Sequence, residues 1–179
     1  NKNGSIQVLE PKDPGLLKAG AATAQLFAKG LGDHDLKQLK ALLNHPDQRV
    51  RKLAQFELVV RGPNGKSILV EVSQSKEASL FSRLHALWGL GQLGRQGKGD
   101  NKALLGLLRD AEDEVRANAA RVTGDLRLED ARDGLLSLLV DKSLRVRSLA
   151  AIALGRVCKR GDAEVITSLY QTAAANTSD

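Results

Sequence analysis

The segment LLSLLVDKSLRVR at residues 135–147 decides the fold, because two further segments repeat its spacing. These are LKALLNHPDQRVR at 39–51 and LLGLLRDAEDEVR at 104–116. With the last arginines aligned, leucine stands twelve, nine and eight positions earlier in all three segments. Leucines three and four residues apart place one apolar stripe along a helix. The polar stretch that follows predicts a turn, and the Val-Arg pair predicts the start of a second helix.

A fourth unit lies between Arg51 and Arg116. With its arginine at Arg83, the four positions are Arg51, Arg83, Arg116 and Arg147, separated by 32, 33 and 31 residues. We call these four residues the repeat arginines. Self-similarity at this period predicts stacked supersecondary units, here four helical hairpins.

The first helix of the second unit is the least regular part of the pattern. SILVEVS at 67–73 has the composition of a strand, yet its place in the repeat predicts a helix with Leu69 and Val72 inward. The spacing also predicts a turn some three residues longer than in the other units.

A hairpin with one apolar stripe per helix cannot bury that stripe alone, so the hairpins are expected to stack into a solenoid. Asp13-Pro14 predicts the start of a capping helix, and Val165, Ile166 and Leu169 are expected to face inward in a terminal helix. The expected boundaries are a cap at 13–33, repeats at about 34–62, 63–99, 100–129 and 130–160, a terminal helix at 162–173, and irregular ends at 1–12 and 174–179.

The pattern D-x-x-V-R-x-x-A-x-x-A-L-G resembles the HEAT repeat, and its best copy is LRVRSLAAIALGRV at 144–157. The resemblance implies an all-α fold, an α-α superhelix of right-handed solenoid type with about four hairpin repeats and capping helices. It covers about 35–172.

A narrower resemblance rests on three segments: 45–62 HPDQRVRKLAQFELVVRG, 82–94 SRLHALWGLGQLG and 110–125 DAEDEVRANAARVTGD. They are similar to the HEAT region of large exported proteins of planctomycete-type bacteria that are classed as membrane-bound dehydrogenases. That family joins a sugar-dehydrogenase-like β-propeller, HEAT repeats and a haem-binding cytochrome c domain. This chain has neither the propeller nor a CxxCH motif, so only the scaffold role is implied, with an exported, periplasmic or membrane-associated location.

The repeat arginines suggest either an anion-binding groove or a structural role. In HEAT-like stacks this position pairs with acidic turn residues, which here would be Asp47, Asp113 and Asp141. Asp47, Asp113 and Ser143 are also available as N-caps of the second helices. We therefore interpret the arginines as structural.

The segment GLGQLG at 89–94 matches the G-x-G-x-x-G motif of dinucleotide-binding folds. That motif needs a strand before it and a helix after it, whereas an amphipathic helix precedes this copy. Gly91, Gly124 and Gly155 each stand eight residues after a repeat arginine. We therefore expect one packing position at which a small residue lets neighbouring helices approach, and no nucleotide site.

His85 and Trp88 are candidates for a ligand or stacking site. Trp88 stands five residues after its repeat arginine, as do Phe56 and Ile152, so the repeat favours core packing for this pair.

Composition removes several classes of function. Cys158 is the only cysteine, which excludes an intrachain disulfide, a CxxC zinc site, CxxCH haem attachment and an iron–sulfur cluster. No histidine pair has metal-binding spacing, no Ser-His-Asp set is recognisable, and no apolar run predicts membrane insertion. The lack of any methionine predicts that the chain is a piece of a longer one.

These observations predict a scaffold that is not itself an enzyme and holds no cofactor or metal. Its expected partner is a protein or a neighbouring domain of the parent chain, bound by a curved surface of second helices. The net charge of +6 leaves a nucleic-acid-binding alternative, as in HEAT-like alkylpurine DNA glycosylases, although one Trp and one Tyr argue against it. A cofactor module like the HEAT-type bilin lyases is a further alternative.

Overall fold

The computed structural model describes residues 13–176, and this part of the chain is helical without a strand. The α-helices are α1 Pro14–Lys29, α2 Leu36–Leu42, α3 Gln48–Val60, α4 Pro63–Gln74, α5 Leu80–Arg95, α6 Asn101–Leu107, α7 Asp113–Asp125, α8 Arg132–Leu138, α9 Leu144–Val157 and α10 Ala163–Asn176. A short 3-10 helix, Glu129–Ala131, precedes α8. The all-α expectation is confirmed.

Helices α2 to α9 form four hairpins, each with a first helix and a second helix. The first helices are α2, α4, α6 and α8, and the second helices are α3, α5, α7 and α9. Each second helix packs against the first helix of its own hairpin, and α3, α5 and α7 also pack against the next second helix. Helix α1 packs on α3 as an earlier second helix would.

One hydrophobic core runs through the stack from Leu31 to Val165. Of the nine leucines that define the repeat, eight are buried, and the exception, Leu42, is half-buried and packs against the core. Burial of a leucine side chain is worth about 1.5–3 kcal/mol, so these positions dominate the stability of each hairpin.

The second helices pack more closely on one another than the first helices do. Helices α7 and α9, and also α3 and α5, share extensive contacts, whereas α2 with α4 and α4 with α6 touch much less. The second helices therefore form the more closely packed side of the solenoid.

The strand-like segment 67–73 is helical, because it lies inside α4 with Leu69 and Val72 buried. The longer turn predicted for this unit is wrong. Residues 75–79 form a turn of the same length as 43–47, and the extra residues lengthen α4 instead. Burial of the apolar face of α4 outweighs its strand propensity.

The two ends of the described chain differ in how well they agree with the predictions from the sequence. Asp13 caps α1, and its Oδ1 accepts from the backbone N–H groups of Gly15 and Leu16 at 2.7 and 3.1 Å. Helix α10 continues to Asn176, beyond the end expected at 173. Ile166 is exposed rather than inward, since only one side of this last helix packs on the stack. The segment 1–12 and the final residues 177–179 of the predicted tail lie outside the described residues.

Candidate interaction surface

Three of the four repeat arginines each connect their own second helix to the turn before it. Arg51 Nη1 donates to the carbonyl oxygens of His45 and Pro46, at 2.7 and 2.8 Å. Arg116 and Arg147 make the same contact with the equivalent carbonyl oxygens, those of Asp110 and Asp141, at 2.8 and 2.7 Å. These bonds satisfy turn carbonyls that have no helical partner.

Two repeat arginines also reach the turn of the following unit. Arg116 forms a bidentate pair with Asp141, Nε to Oδ2 at 2.7 Å and Nη2 to Oδ1 at 2.9 Å, and both side chains are 9% exposed. Across the preceding interface, Arg83 pairs with Asp110 through a single contact, from Nη2 to Oδ2. The Arg116 guanidinium lowers the pKa of Asp141, and the Asp141 carboxylate raises the pKa of Arg116, since each charge stabilises the other.

The acidic partners therefore differ from those expected. Asp141 binds a repeat arginine, but the one of the preceding unit, and Asp110 takes the place predicted for Asp113. Asp113 begins α7 behind its N-cap, Glu112, and accepts from the Glu114 N–H at 2.9 Å. A carboxylate there suits the positive end of the helix dipole.

Asp47 is the N-cap of α3, as expected, but its carboxylate binds Arg49 rather than Arg51. Hydrogen bonds from the Arg49 side chain and backbone lower the pKa of Asp47 to about 2. Arg51 instead lies over the Phe81 ring of the next unit, with its guanidinium carbon 5.0 Å from the ring centroid. The first interface thus has a cation–π contact where the next two have ion pairs.

The expected glycine packing position is present at two of three places. A Cβ added to Gly91 would lie 2.9 Å from Val122 Cγ1, and one added to Gly124 would lie 2.7 Å from the Ala153 Cβ. At Gly155 the expectation differs from the structure, because a Cβ there meets no atom within 4 Å. The contact is made by the second helix of the following unit, and α9 is the last second helix in the described range. The GLGQLG segment lies inside α5. It therefore does not connect a strand to a helix, as the dinucleotide-binding motif must.

His85 is buried between α3 and α5, where its Nδ1 lies 2.8 Å from Gln55 Oε1. Burial, and secondarily the Arg51 charge, lower the pKa of His85 to about 4. Its ring meets Trp88 edge-on with 4.9 Å between centroids. Trp88 is half-buried and donates from Nε1 to Asn118 Oδ1 at 3.0 Å, so this pair links three second helices.

The outward residues of the second helices form a continuous surface that we call the second-helix face. Each helix contributes the residues two before, five after and nine after its repeat arginine. They are Arg49, Phe56 and Val60 on α3; Phe81, Trp88 and Gln92 on α5; Glu114, Arg121 and Asp125 on α7; and Arg145, Ile152 and Arg156 on α9.

The two halves of this face have different chemistry. On α7 and α9 the charges neutralise one another, since Arg145 Nε lies 3.0 Å from Glu114 Oε1 and Arg156 pairs with Asp125. On α3 and α5, four of the six outward side chains are aromatic or aliphatic, namely Phe56, Val60, Phe81 and Trp88. Phe56 is 40% exposed, Phe81 60% and Val60 77%.

All three phenylalanines and the tryptophan lie on this side of the solenoid, each beside a cation. The cation-to-centroid distances are 5.2 Å for Arg49 over Phe27, 5.0 Å for Arg51 over Phe81, 5.5 Å for Lys52 over Phe56 and 6.0 Å for Arg121 over Trp88. Sequence reasoning missed Phe27 and Phe81 as surface residues. The alignment of Trp88 with Phe56 and Ile152 predicts core packing, but Phe56 and Ile152 are exposed and Trp88 is half-buried, because this repeat position faces outward.

Between residues 13 and 176, no group of His, Cys, Asp and Glu is arranged to hold a metal ion. No helix in that range combines the length and apolar character needed to cross a bilayer.

Comparison with known proteins agrees with this geometry. A model of HEAT repeats matches residues 100–179. The fold is an all-α solenoid of stacked helical hairpins, and its C-terminal part matches HEAT repeats. No curated protein sequence matches the chain.

Two solved structures match the chain. The complex of CpcE and CpcF of phycocyanin lyase from Nostoc sp. PCC7120 is 16% identical, with a TM-score of 0.51, and the match covers 98% of this chain and 71% of that chain. At this identity the match shows a shared fold only. An engineered protein is 21% identical, with a TM-score of 0.46, covering 88% of this chain and 74% of that chain.

Proposed function

We propose that this HEAT-repeat solenoid is a non-catalytic scaffold that binds a polypeptide partner on its second-helix face. The observation that carries the proposal is an asymmetry of exposed apolar side chains. In the described chain, the first helices α2, α4, α6 and α8 expose no large hydrophobic residue. The second helices expose Phe56, Val60, Phe81, Leu144 and Ile152.

Apolar side chains collected on one face have a physical cost when they stay in water. Contiguous exposed patches of this kind mark interaction sites in soluble proteins, and aromatic residues are enriched where partners bind. The repeat architecture could place polar residues at these positions, as it does at Arg121 and Asp125 on α7. The exposed apolar side chains on α3 and α5 are therefore better explained by binding of a partner than by a need of the fold.

The partner is a separate protein or a neighbouring domain of a longer parent chain. The second option follows from the resemblance to the exported dehydrogenase-like proteins, in which a HEAT region connects a propeller to a cytochrome c domain. On this proposal the solenoid contributes no catalytic residue and no cofactor ligand to such a parent. Its role is to hold the other domains in a fixed arrangement.

A selection experiment tests the proposal without knowledge of the natural partner. Random peptides displayed on phage are selected against the immobilised domain, and the bound peptides are then titrated into ¹⁵N-labelled protein. We expect amide shifts on the outward side of α3, α5, α7 and α9 and little change on α2, α4, α6 and α8. Selected peptides that map to the first helices would overturn the proposal.

Three further titrations address the alternatives on the same sample. NAD, haem and a tetrapyrrole test the cofactor hypothesis, and duplex DNA at varied salt tests the nucleic-acid hypothesis. Stoichiometric binding of any small molecule would favour a cofactor module. DNA binding that weakens steeply with salt would favour a nucleic-acid domain.

A further inference from the structure

We infer that the α3–α5 half of the second-helix face recognises an acidic polypeptide segment that also carries aromatic or aliphatic side chains. This inference rests on the proposed function and names the chemistry of the partner. The residues that carry it are Lys52, Phe56 and Val60 on α3 and Phe81 and Arg95 on α5, which we call the α3–α5 patch.

The patch contains a place for an apolar anchor. An open depression of about 510 Å³ lies between the C-terminal ends of α3 and α5. Phe56, Val59 and Val60 form its apolar wall, and Arg95 stands at its rim with Gln92 and Gln96. A partner side chain that fills it covers Val60, one of the most exposed apolar residues of the chain. Anchors of this kind supply most of the energy of an interface.

The spacing of these residues presents a continuous strip. Lys52, Phe56 and Val60 are four residues apart and therefore lie on one line along α3. Lys52 Nζ stays 5.5 Å from the Phe56 ring centroid, so the cation and the ring are presented together. A partner with an acidic residue beside an apolar one would contact both.

The charge of the patch is positive and uncompensated. Within residues 13–176, Lys52 and Arg95 take part in no ion pair, although both are exposed. The arginines of the α7–α9 half differ, since Arg145 and Arg156 are each paired with a carboxylate of α7. Complementary charge on a partner steers its approach and fixes its register, so acidic residues fit this half best.

A polypeptide fits these observations better than a nucleic acid does. Affinity for nucleic acid grows with the number of phosphates neutralised, and the patch has only a few free cations. On the α7–α9 half, Glu114 and Asp125 already pair with arginines, so a phosphate backbone that continued along the face would have to compete with these carboxylates. Exposed Val60 and the depression beside it suit an aliphatic or aromatic side chain.

The test uses synthetic probes of defined chemistry with the full 179-residue chain. One short peptide alternates Glu with Leu and Phe, a second replaces each Glu by Lys, and a third probe is single-stranded oligothymidine. Binding is measured by fluorescence anisotropy and located by amide shifts. We expect the acidic peptide to bind about tenfold or more tightly than the basic one, with shifts on α3 and α5.

Matched variants locate the contact. Phe56→Ala is compared with Ile152→Ala, which has the same repeat position on α9, and Lys52→Glu/Arg95→Glu is compared with Lys37→Glu on α2. We expect Phe56→Ala and the double charge reversal each to weaken acidic-peptide binding about tenfold, because each removes roughly 1.4 kcal/mol or more. The two controls should leave binding unchanged.

The outcomes separate the inference from the proposed function. Equal binding of acidic and basic peptides on the second-helix face would refute the inference and leave the scaffold function standing. Binding of neither peptide, with phage-selected peptides mapping elsewhere, would refute both. Oligothymidine that binds more tightly than the acidic peptide, and is lost on Lys52→Glu/Arg95→Glu, would assign the patch to nucleic acid. An equal loss on Ile152→Ala would place the contact outside the α3–α5 patch.

Discussion

Acidification should destabilise this protein through His85 at pH values well above those at which carboxylates titrate. The ring is buried against Gln55 and Trp88, with the Arg51 charge nearby, and the pKa of His85 falls from 6.5 to about 4. Because the pKa of His85 is lower in the folded protein than in the unfolded chain, the unfolded chain binds the proton first as the pH falls. Stability is therefore complete above pH 6.5 and is lost as the pH falls toward 4.

The size of the effect follows from the difference between the two pKa values. At about 1.4 kcal/mol per pKa unit, it amounts to about 3 kcal/mol once the folded protein is also protonated. At about pH 5 the unfolded chain is largely protonated at this position and the folded chain is not, so the loss is about 2 kcal/mol. Marginal stability makes this a substantial fraction of the total.

The assay is urea unfolding at about pH 7 and about pH 5, followed by far-ultraviolet circular dichroism and by the fluorescence of Trp88. His85→Asn is the matched variant, because Asn118 stands at the equivalent position of the next unit and cannot titrate. We expect the variant to lose about 2 kcal/mol less than the natural chain between the two pH values. An identical pH dependence in both proteins would refute the assignment of this effect to His85.

Two further predictions compare matched positions by urea unfolding at neutral pH. Arg116→Met should lower the free energy of unfolding by about 3 kcal/mol or more, because it leaves the buried Asp141 carboxylate without its cation. Arg49→Met, which breaks an exposed pair of similar geometry, should cost less than about 1 kcal/mol. Equal losses would show that burial does not decide the value of these pairs. Gly124→Ala should cost about 1–3 kcal/mol, since its Cβ would meet the next second helix. Gly155→Ala should instead stabilise by about 0.5–1 kcal/mol, and a loss there would reveal a neighbour on α9.

The repeat made most of the helical architecture predictable. Leucine spacing and the Val-Arg start are local signals, so the hairpins follow from a few residues each. The strand-like segment 67–73 needed the repeat register, because its own composition favours a strand. The length of α4 escaped prediction, since the extra residues could extend either the helix or the turn.

The surface was less predictable, because it depends on contacts between units. A pattern within one hairpin indicates that Arg83 and Arg116 need acidic partners, but it does not show that Asp110 and Asp141 of the following turns supply them. The exposure of Phe81 depends likewise on the neighbouring helices. The composition alone gave no sign that the free cations would gather beside exposed rings.

The unequal interfaces between units have a mechanical consequence. At the interface between the first and second hairpins the repeat arginine lies on the Phe81 ring, whereas at the later two interfaces a repeat arginine binds a carboxylate. The first interface also has buried hydrogen bonds, from Ser82 to the Leu43 carbonyl and between His85 and Gln55, but these groups are uncharged. Its Lys40–Glu71 ion pair is exposed. Pulling the later interfaces apart must leave a largely buried charge unpaired, and the first interface has no such cost. A solenoid stretched from its ends should therefore lengthen in steps, and the interface between its first two hairpins should open before the later interfaces do.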